Sequence, residues 1–239
     1  MAEIWSKRKE IRAAFLSRKE ERNSFVIHPV ANLETHSDVV QALEKNRTTL
    51  SEYLKWPNLQ LSLGIQVHGT NVGHTEKPEV LEHTDGLVTT RPGLAVGVLV
   101  ADCAAVLIAD RVFGVVAAVH AGWRGAVGGI IEEAVTKMIR MGAEPHVMEA
   151  YISPCISRTA FEVGEEVASQ FPDRYVERSG VKPHVDLKGF VTHSLTETGI
   201  PADRIIQDER CTYREPEDLH SYRRDGSASG RMMAVIALR

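Results

Sequence analysis

Three side chains in this 239-residue sequence stand where a chain can do chemistry. Cys103 follows the apolar run Leu94–Val100 and its exit Ala101-Asp102; His120 ends a second run, Val112–Val119; His68 ends a shorter alternating segment from Leu61. Two imidazoles and one thiol are a donor set for zinc, a borderline-soft cation that takes Cys and His. Three protein ligands leave a fourth coordination place for water or substrate. The three are too far apart in sequence to make a short metal signature. Singly, a histidine at a strand end serves as well as a structural hydrogen-bonder, and a lone cysteine as a small buried hydrophobe. Together they gain meaning, because each interrupts an apolar strand beside small residues, where loops admit a ligand. His74 and His83 are alternative donors, but neither ends an apolar strand.

The elements that must position these groups follow from hydrophobic patterning. Val-rich runs bounded by Gly or charge read as buried strands, and Asp110-Arg111 reads as a turn. Residues 104–109 and 112–119 are therefore expected to pair as an antiparallel hairpin, with Cys103 and His120 near one end of adjacent strands. Further strands are expected at Phe25–Ile27, Leu87–Thr90, His146–Ile152, Arg204–Ile206 and Met232–Leu238, and the polar stretch 69–82 reads as a loop. Helical spacing predicts helices over 38–54, 126–141 with Gly142 as its stop, 161–171 ended by Pro172, and 187–198. The resulting fold class is α+β, a single domain of central mixed β-sheets flanked by helices. A helix start beside His120 offers free N–H groups to an anion, and Arg124 would reinforce it. Arg223 and Arg224 lie in a polar loop where their donor forks suit phosphate. Asp102 is the carboxylate nearest Cys103 in sequence and so a candidate proton carrier, although strand alternation would point it the other way. Asp85 reads as a turn residue, and Cys155 lies in the turn Ser153-Pro154-Cys155-Ile156-Ser157.

Composition narrows the class. With 43% hydrophobic and 25% charged residues the chain is an ordinary globular one, neither disordered nor membranous. A net charge of -4 argues against a nucleic-acid partner. No apolar run is long enough to span a membrane. Three widely spaced cysteines suit free thiols in a reducing compartment. The opening MAEIWSKRKEIRAAF lacks the apolar core of a secretory signal. These features predict a cytoplasmic protein.

The motifs Gln66-Val67-His68-Gly69, Asp85-Gly86-Leu87-Val88, Ala101-Asp102-Cys103 and above all His120-Ala121-Gly122-Trp123-Arg124-Gly125 resemble those of the laccase-domain family. That family is also described as multicopper polyphenol oxidoreductase-like or YfiH-like. The likeness runs on through Ser153-Pro154-Cys155-Ile156, Glu209-Arg210-Cys211-Thr212 and Ser221-Tyr222-Arg223-Arg224-Asp225 to Gly230-Arg231, in the family's order. The resemblance implies a YfiH-like layered sandwich forming one catalytic domain over 1–239. It implies a catalytic zinc on His68, Cys103 and His120. It also places Asp85 beside the active site, and Asn46-Arg47 resembles an N-R pair that gives Arg47 a substrate-side role. The implied function is purine nucleoside chemistry, namely phosphorolysis of adenosine, inosine or methylthioadenosine and deamination of adenosine. A nucleoside and inorganic phosphate would be the small-molecule partners. In that reading Asp102, Arg47 and Arg124 are catalytic, while Arg223, Arg224, Asp85 and Cys155 bind substrate. Alternatives are copper in the same ligands with polyphenol oxidation, editing of peptidoglycan precursors, and a noncatalytic zinc-containing binding module. The chain departs from the family pattern in one place. A glycine-rich turn is usual near residues 17–24, yet no glycine precedes Gly64.

Overall fold

The structure, a computed structural model, describes residues 2–4, 11–18 and 36–239. The strand expected at 25–27 and residues 19–24 of the divergent turn lie outside the described residues. In chain order the strands are β1 (Ala2–Ile4), β2 (Ile11–Leu16), β3 (Gln60–Gly64), β4 (Val72–His74), β5 (Val80–Leu81), β6 (Gly86–Thr89), β7 (Leu94–Val100), β8 (Ala104–Asp110), β9 (Val115–Ala121), β10 (Glu149–Ile152), β11 (Val176–Glu177), β12 (His184–Val185), β13 (Ile205–Gln207) and β14 (Met232–Leu238). The helices are α1 (His36–Tyr53), α2 (Trp123–Val127), α3 (Ile130–Arg140), α4 (Glu165–Ala168), α5 (Leu187–Glu197) and α6 (Tyr222–Asp225).

Two mixed six-stranded sheets carry the fold, ordered β1-β2-β14-β7-β3-β5 and β13-β10-β8-β9-β6-β4. Strand alternation explains how they stack. On β14, Met232, Ala234, Ile236 and Leu238 face the second sheet, where they meet Ala105, Leu107, Val116 and Ala118. Met233, Val235 and Ala237 point the other way, toward Leu43 and Leu50 of α1. Val106, Ile108, Ala117 and Val119 likewise turn outward onto Ile130, Ile131, Ala134 and Leu195 of α3 and α5. Both faces of β8, β9 and β14 are buried, which is why those strands are apolar throughout rather than alternating. The result is the α+β layered sandwich of mixed sheets flanked by helices.

The hairpin forms with Ala104 opposite Ala121 and Asp110 opposite Val115. Its second strand starts three residues later than the apolar run suggests. Asp110 Oδ1 accepts from the N–H groups of Val112 (2.9 Å) and Phe113 (3.0 Å), drawing both into the turn, and Gly114 closes it at φ +68°. Other boundaries also shift. The helix expected over 126–141 is two helices, because Gly129, at φ +91°, breaks it; the stop at Gly142 holds, at φ +97°. The strand expected from His146 begins at Glu149, behind a 3₁₀ turn at Pro145–Val147. Only the four residues of α4 are α-helical within 161–171, and the loop 69–82 contains the short edge strands β4 and β5.

Candidate functional site

His120 shares its strand face with Val116 and Ala118, so its ring enters the space between the two sheets at the end of β9. Ala105, its register partner on β8, leaves room there, and Cys103 lies one residue before that strand. His68 comes from the first sheet. It is not at the strand end as expected but four residues beyond β3, at φ +62°, a turn that re-aims the loop toward β9. The donor atoms of His68, Cys103 and His120 all lie within 4.8 Å of one another. The two rings meet edge to face with centroids 4.8 Å apart.

One buried carboxylate fixes this arrangement. Asp85, with no exposed surface, accepts from the backbone N–H of His68 at Oδ1 (2.9 Å) and from those of Val67 (3.1 Å) and Gly69 (2.8 Å) at Oδ2. Its Oδ1 also lies 2.8 Å from Nδ1 of His120, and its carbonyl accepts the His120 N–H (2.7 Å). The clamp sets the His120 tautomer and leaves Nε2 as the available nitrogen, the usual arrangement behind a metal-binding histidine. Burial opposes ionisation of Asp85, but His120 and the N–H groups of Gly69 and Val67 outweigh it, so the carboxyl titrates below its ordinary range. Burial also opposes ionisation of Cys103; the facing His120 and His68 overcome it and bring the thiol down to about 6. For His120, burial disfavours the charged form, while Cys103 and Asp85 raise its pKa to about 9.

The donor set fits a thiophilic cation in shape as well as charge. A Cβ on Gly122 would lie 3.0 Å from Cys103 Sγ and 3.0 Å from His68 Cδ2, so only glycine leaves the space clear. A Cβ on Gly125 would approach the carbonyl of Gly69 to 2.7 Å, which is how α2 seats against the His68 loop. Among the described residues the cluster has three donors and no fourth.

Above the cluster opens a cavity of about 570 Å³, within the range of small-molecule sites. Trp123, Ile156, Phe161, Leu187 and Tyr222 give it apolar walls, and Arg124, Arg223 and Arg231 bring three cations. Among the described residues none of these arginines is paired with a carboxylate. Arg124 lies over the Trp123 ring at 4.4 Å, Arg223 Nη1 donates to the Glu162 carbonyl (2.7 Å), and Arg231 Nη1 donates to the carbonyls of Ser229 and Gly230 (both 3.0 Å).

Of the residues singled out from sequence, the cavity brings together His68, Cys103, His120, Asp102, Arg124 and Arg223. Four stand elsewhere. Asp85 lies behind the cluster with its oxygens occupied. Cys155 is fully buried, its thiol pushed up to about 12 by burial. Arg47 is held on α1 by Glu44 (2.8 Å) and by the Leu59 carbonyl (3.3 Å). Arg224 pairs with Asp225 and donates to the carbonyls of Thr212 (2.7 Å) and Leu219 (2.9 Å), knotting the C-terminal segment. Sequence reasoning left out Arg231, Tyr222 and Phe161 as cavity residues. It also left out Gln66, whose amide pairs with both the N–H and the carbonyl of Leu99 (2.8 Å each) and pins the His68 loop to β7. Arg231 and Gln66 fall within the quoted motifs, which was the available signal.

Comparison with known proteins agrees with this architecture. Residues 12–239 match the family described as multi-copper polyphenol oxidoreductase laccase. The chain is 38% identical over 212 residues to a purine nucleoside phosphorylase of Deinococcus radiodurans, covering 87% of this chain and 81% of that one. It is 36% identical over 169 residues to the adenosine deaminase RL5 of an unknown prokaryotic organism, covering 67% of this chain and 64% of that one. Among solved structures, the Bacillus licheniformis hypothetical protein YfiH superposes with a TM-score of 0.82 at 26% identity, covering 96% of this chain and 93% of that one.

Proposed function

This chain belongs to the multi-copper polyphenol oxidoreductase laccase family, and we propose that it is a zinc-dependent purine nucleoside enzyme of the cytoplasm. Its reactions are the phosphorolysis of adenosine, inosine or methylthioadenosine and the deamination of adenosine. The observation that carries the reading is the convergence of His68, Cys103 and His120 at the floor of a cavity rimmed by arginines that have no carboxylate partner among the described residues. The names of the relatives support the purine nucleoside class.

His68, Cys103 and His120 would hold the zinc ion, which supplies Lewis acidity to an oxygen in the cavity. Asp85 keeps His120 and the His68 loop in place. Trp123, Phe161 and Tyr222 offer aromatic walls to a purine, and Arg124 and Arg223 offer donors to phosphate. In phosphorolysis adenosine and phosphate give adenine and ribose 1-phosphate; in deamination adenosine and water give inosine and ammonia. A cluster of three donors among the described residues favours catalytic over structural zinc, since structural sites close all four positions.

The test is to purify the protein, measure zinc by elemental analysis, and resolve the products from adenosine with and without phosphate. The expected result is one zinc per chain, adenine and ribose 1-phosphate with phosphate, and inosine without it. Metal-free protein active on nucleosides, or zinc-loaded protein inert toward all of them, would contradict the reading.

A further inference from the structure

Asp102 joins the floor of the cavity to its rim. It precedes Cys103 and adopts φ +92°, so the alternation that would turn it away from the cysteine does not apply, and both line the cavity. Its carbonyl accepts from the Ile156 N–H (2.9 Å). Its carboxylate reaches far along the chain: Oδ1 accepts the Thr212 hydroxyl (2.5 Å) and Oδ2 accepts the Arg223 N–H (2.6 Å). Ser221 already caps the short α6 through the Arg224 N–H (3.2 Å), so the bond from Asp102 is not needed to start that helix. Arg224 ties Thr212, Tyr213 and Leu219 together by their carbonyls, which makes 212–225 one linked segment. Within that segment Arg223 presents its guanidinium to the cavity, 5.5 Å from the centre of the Phe161 ring.

We propose that Asp102 is a positioning residue: its carboxylate fixes the distance between the His68–Cys103–His120 cluster and Arg223, so that an anion held on the rim is presented to the floor. Both oxygens accept donors from the 212–225 segment, the Thr212 hydroxyl at Oδ1 and the Arg223 N–H at Oδ2, so the carboxylate is engaged in holding that segment. The kinetic part of this inference rests on the proposed nucleoside reactions; the structural part does not.

The test uses Asp102→Gly, which suits the left-handed backbone while deleting the carboxylate, and Asp102→Asn, which keeps its size. Each is made alone and with Arg223→Ala. On the zinc-loaded full chain, amide hydrogen exchange over 221–225 and calorimetric binding of inorganic phosphate are measured beside kcat and KM. Both variants are expected to retain zinc, exchange faster at 221–225, and bind phosphate about tenfold more weakly, the scale of one lost hydrogen bond to a charged group. In kinetics the loss should fall on KM for phosphate rather than on kcat, and Asp102→Gly should add nothing in the Arg223→Ala background. Four results would overturn the proposal: wild-type exchange at 221–225, additive losses in the double variant, zinc lost on removing the carboxylate, or a collapse of deamination kcat at unchanged KM. If the wild type turns over no nucleoside, the proposed function fails, while exchange and phosphate binding still decide the role of Asp102.

Discussion

The floor and the rim of the cavity are built on opposite terms. The floor is held from behind: His120 is 3% exposed, Asp85 is wholly buried with four donors around its carboxylate, and both flanking strands are closed on each face, while Cys103 and His68 open toward the cavity. On the rim, Arg124, Arg223 and Arg231 stand on a short helix, a short helix and a loop, and their guanidinium groups have aromatic rings or carbonyls for neighbours and no carboxylate partner among the described residues. A buried carboxylate with its donors in place holds geometry, whereas guanidinium groups with no carboxylate partner among the described residues can receive an anion at a cavity mouth. Under the proposed function the contrast teaches a division of labour: reactivity would be set by the floor and substrate choice by the rim.

Breaking the floor should cost most. Replacing Cys103 or His120 with Ala is expected to remove stoichiometric zinc and with it both nucleoside activities, checked by elemental analysis and product assay on folded variants. Asp85→Asn leaves the donors in place but loses the clamp, so metal affinity should fall by about 10–100-fold, read by chelator competition. Gly122→Ala should crowd Cys103 and His68; a loss of about 1–3 kcal/mol in stability by denaturant titration, with weakened zinc binding, is expected from overpacking of this kind.

Breaking the rim should cost less and differently. Arg223→Ala should keep zinc and raise KM for phosphate by about tenfold, the scale of a charged hydrogen bond. Its neighbour Arg224→Ala should lower the melting temperature and leave KM less affected, because Arg224 ties carbonyls rather than facing the cavity. The smallest effect is in acid. Asp85 titrates below its ordinary 3.8 in the fold, so its contribution to stability is complete above 3.8 and is lost as the pH falls through the lower folded value. Asp85→Asn should therefore flatten that acid limb in melts of the metal-free protein.

The same contrast explains what could be read from sequence. The hairpin, β14, α1 and α5 were legible because burial on two faces or one leaves a periodic apolar signal. Cys103 and His120 were legible with them, since a polar residue ending such a run stands out. The clamp was not: Asp85 meets His120 and the 67–69 N–H groups only through the antiparallel pairing of β6 with β9 and the return of the loop after β3, and no spacing encodes that. Adjacent Arg223 and Arg224 have the same composition and opposite surroundings, a difference made by the turn of α6. Asp102 defeated strand alternation because its backbone is left-handed. Gly128-Gly129 inside an otherwise periodic helix was a visible signal of the break between α2 and α3 that periodicity alone overrode.

Zinc K-edge absorption on the purified wild-type protein probes the floor most directly. One zinc per chain with a single sulfur at about 2.3 Å, two imidazole nitrogens at about 2.0–2.1 Å and one further light atom is the predicted first shell. A zinc with no sulfur neighbour, or with a fourth side chain closing the shell in the active protein, would contradict the account.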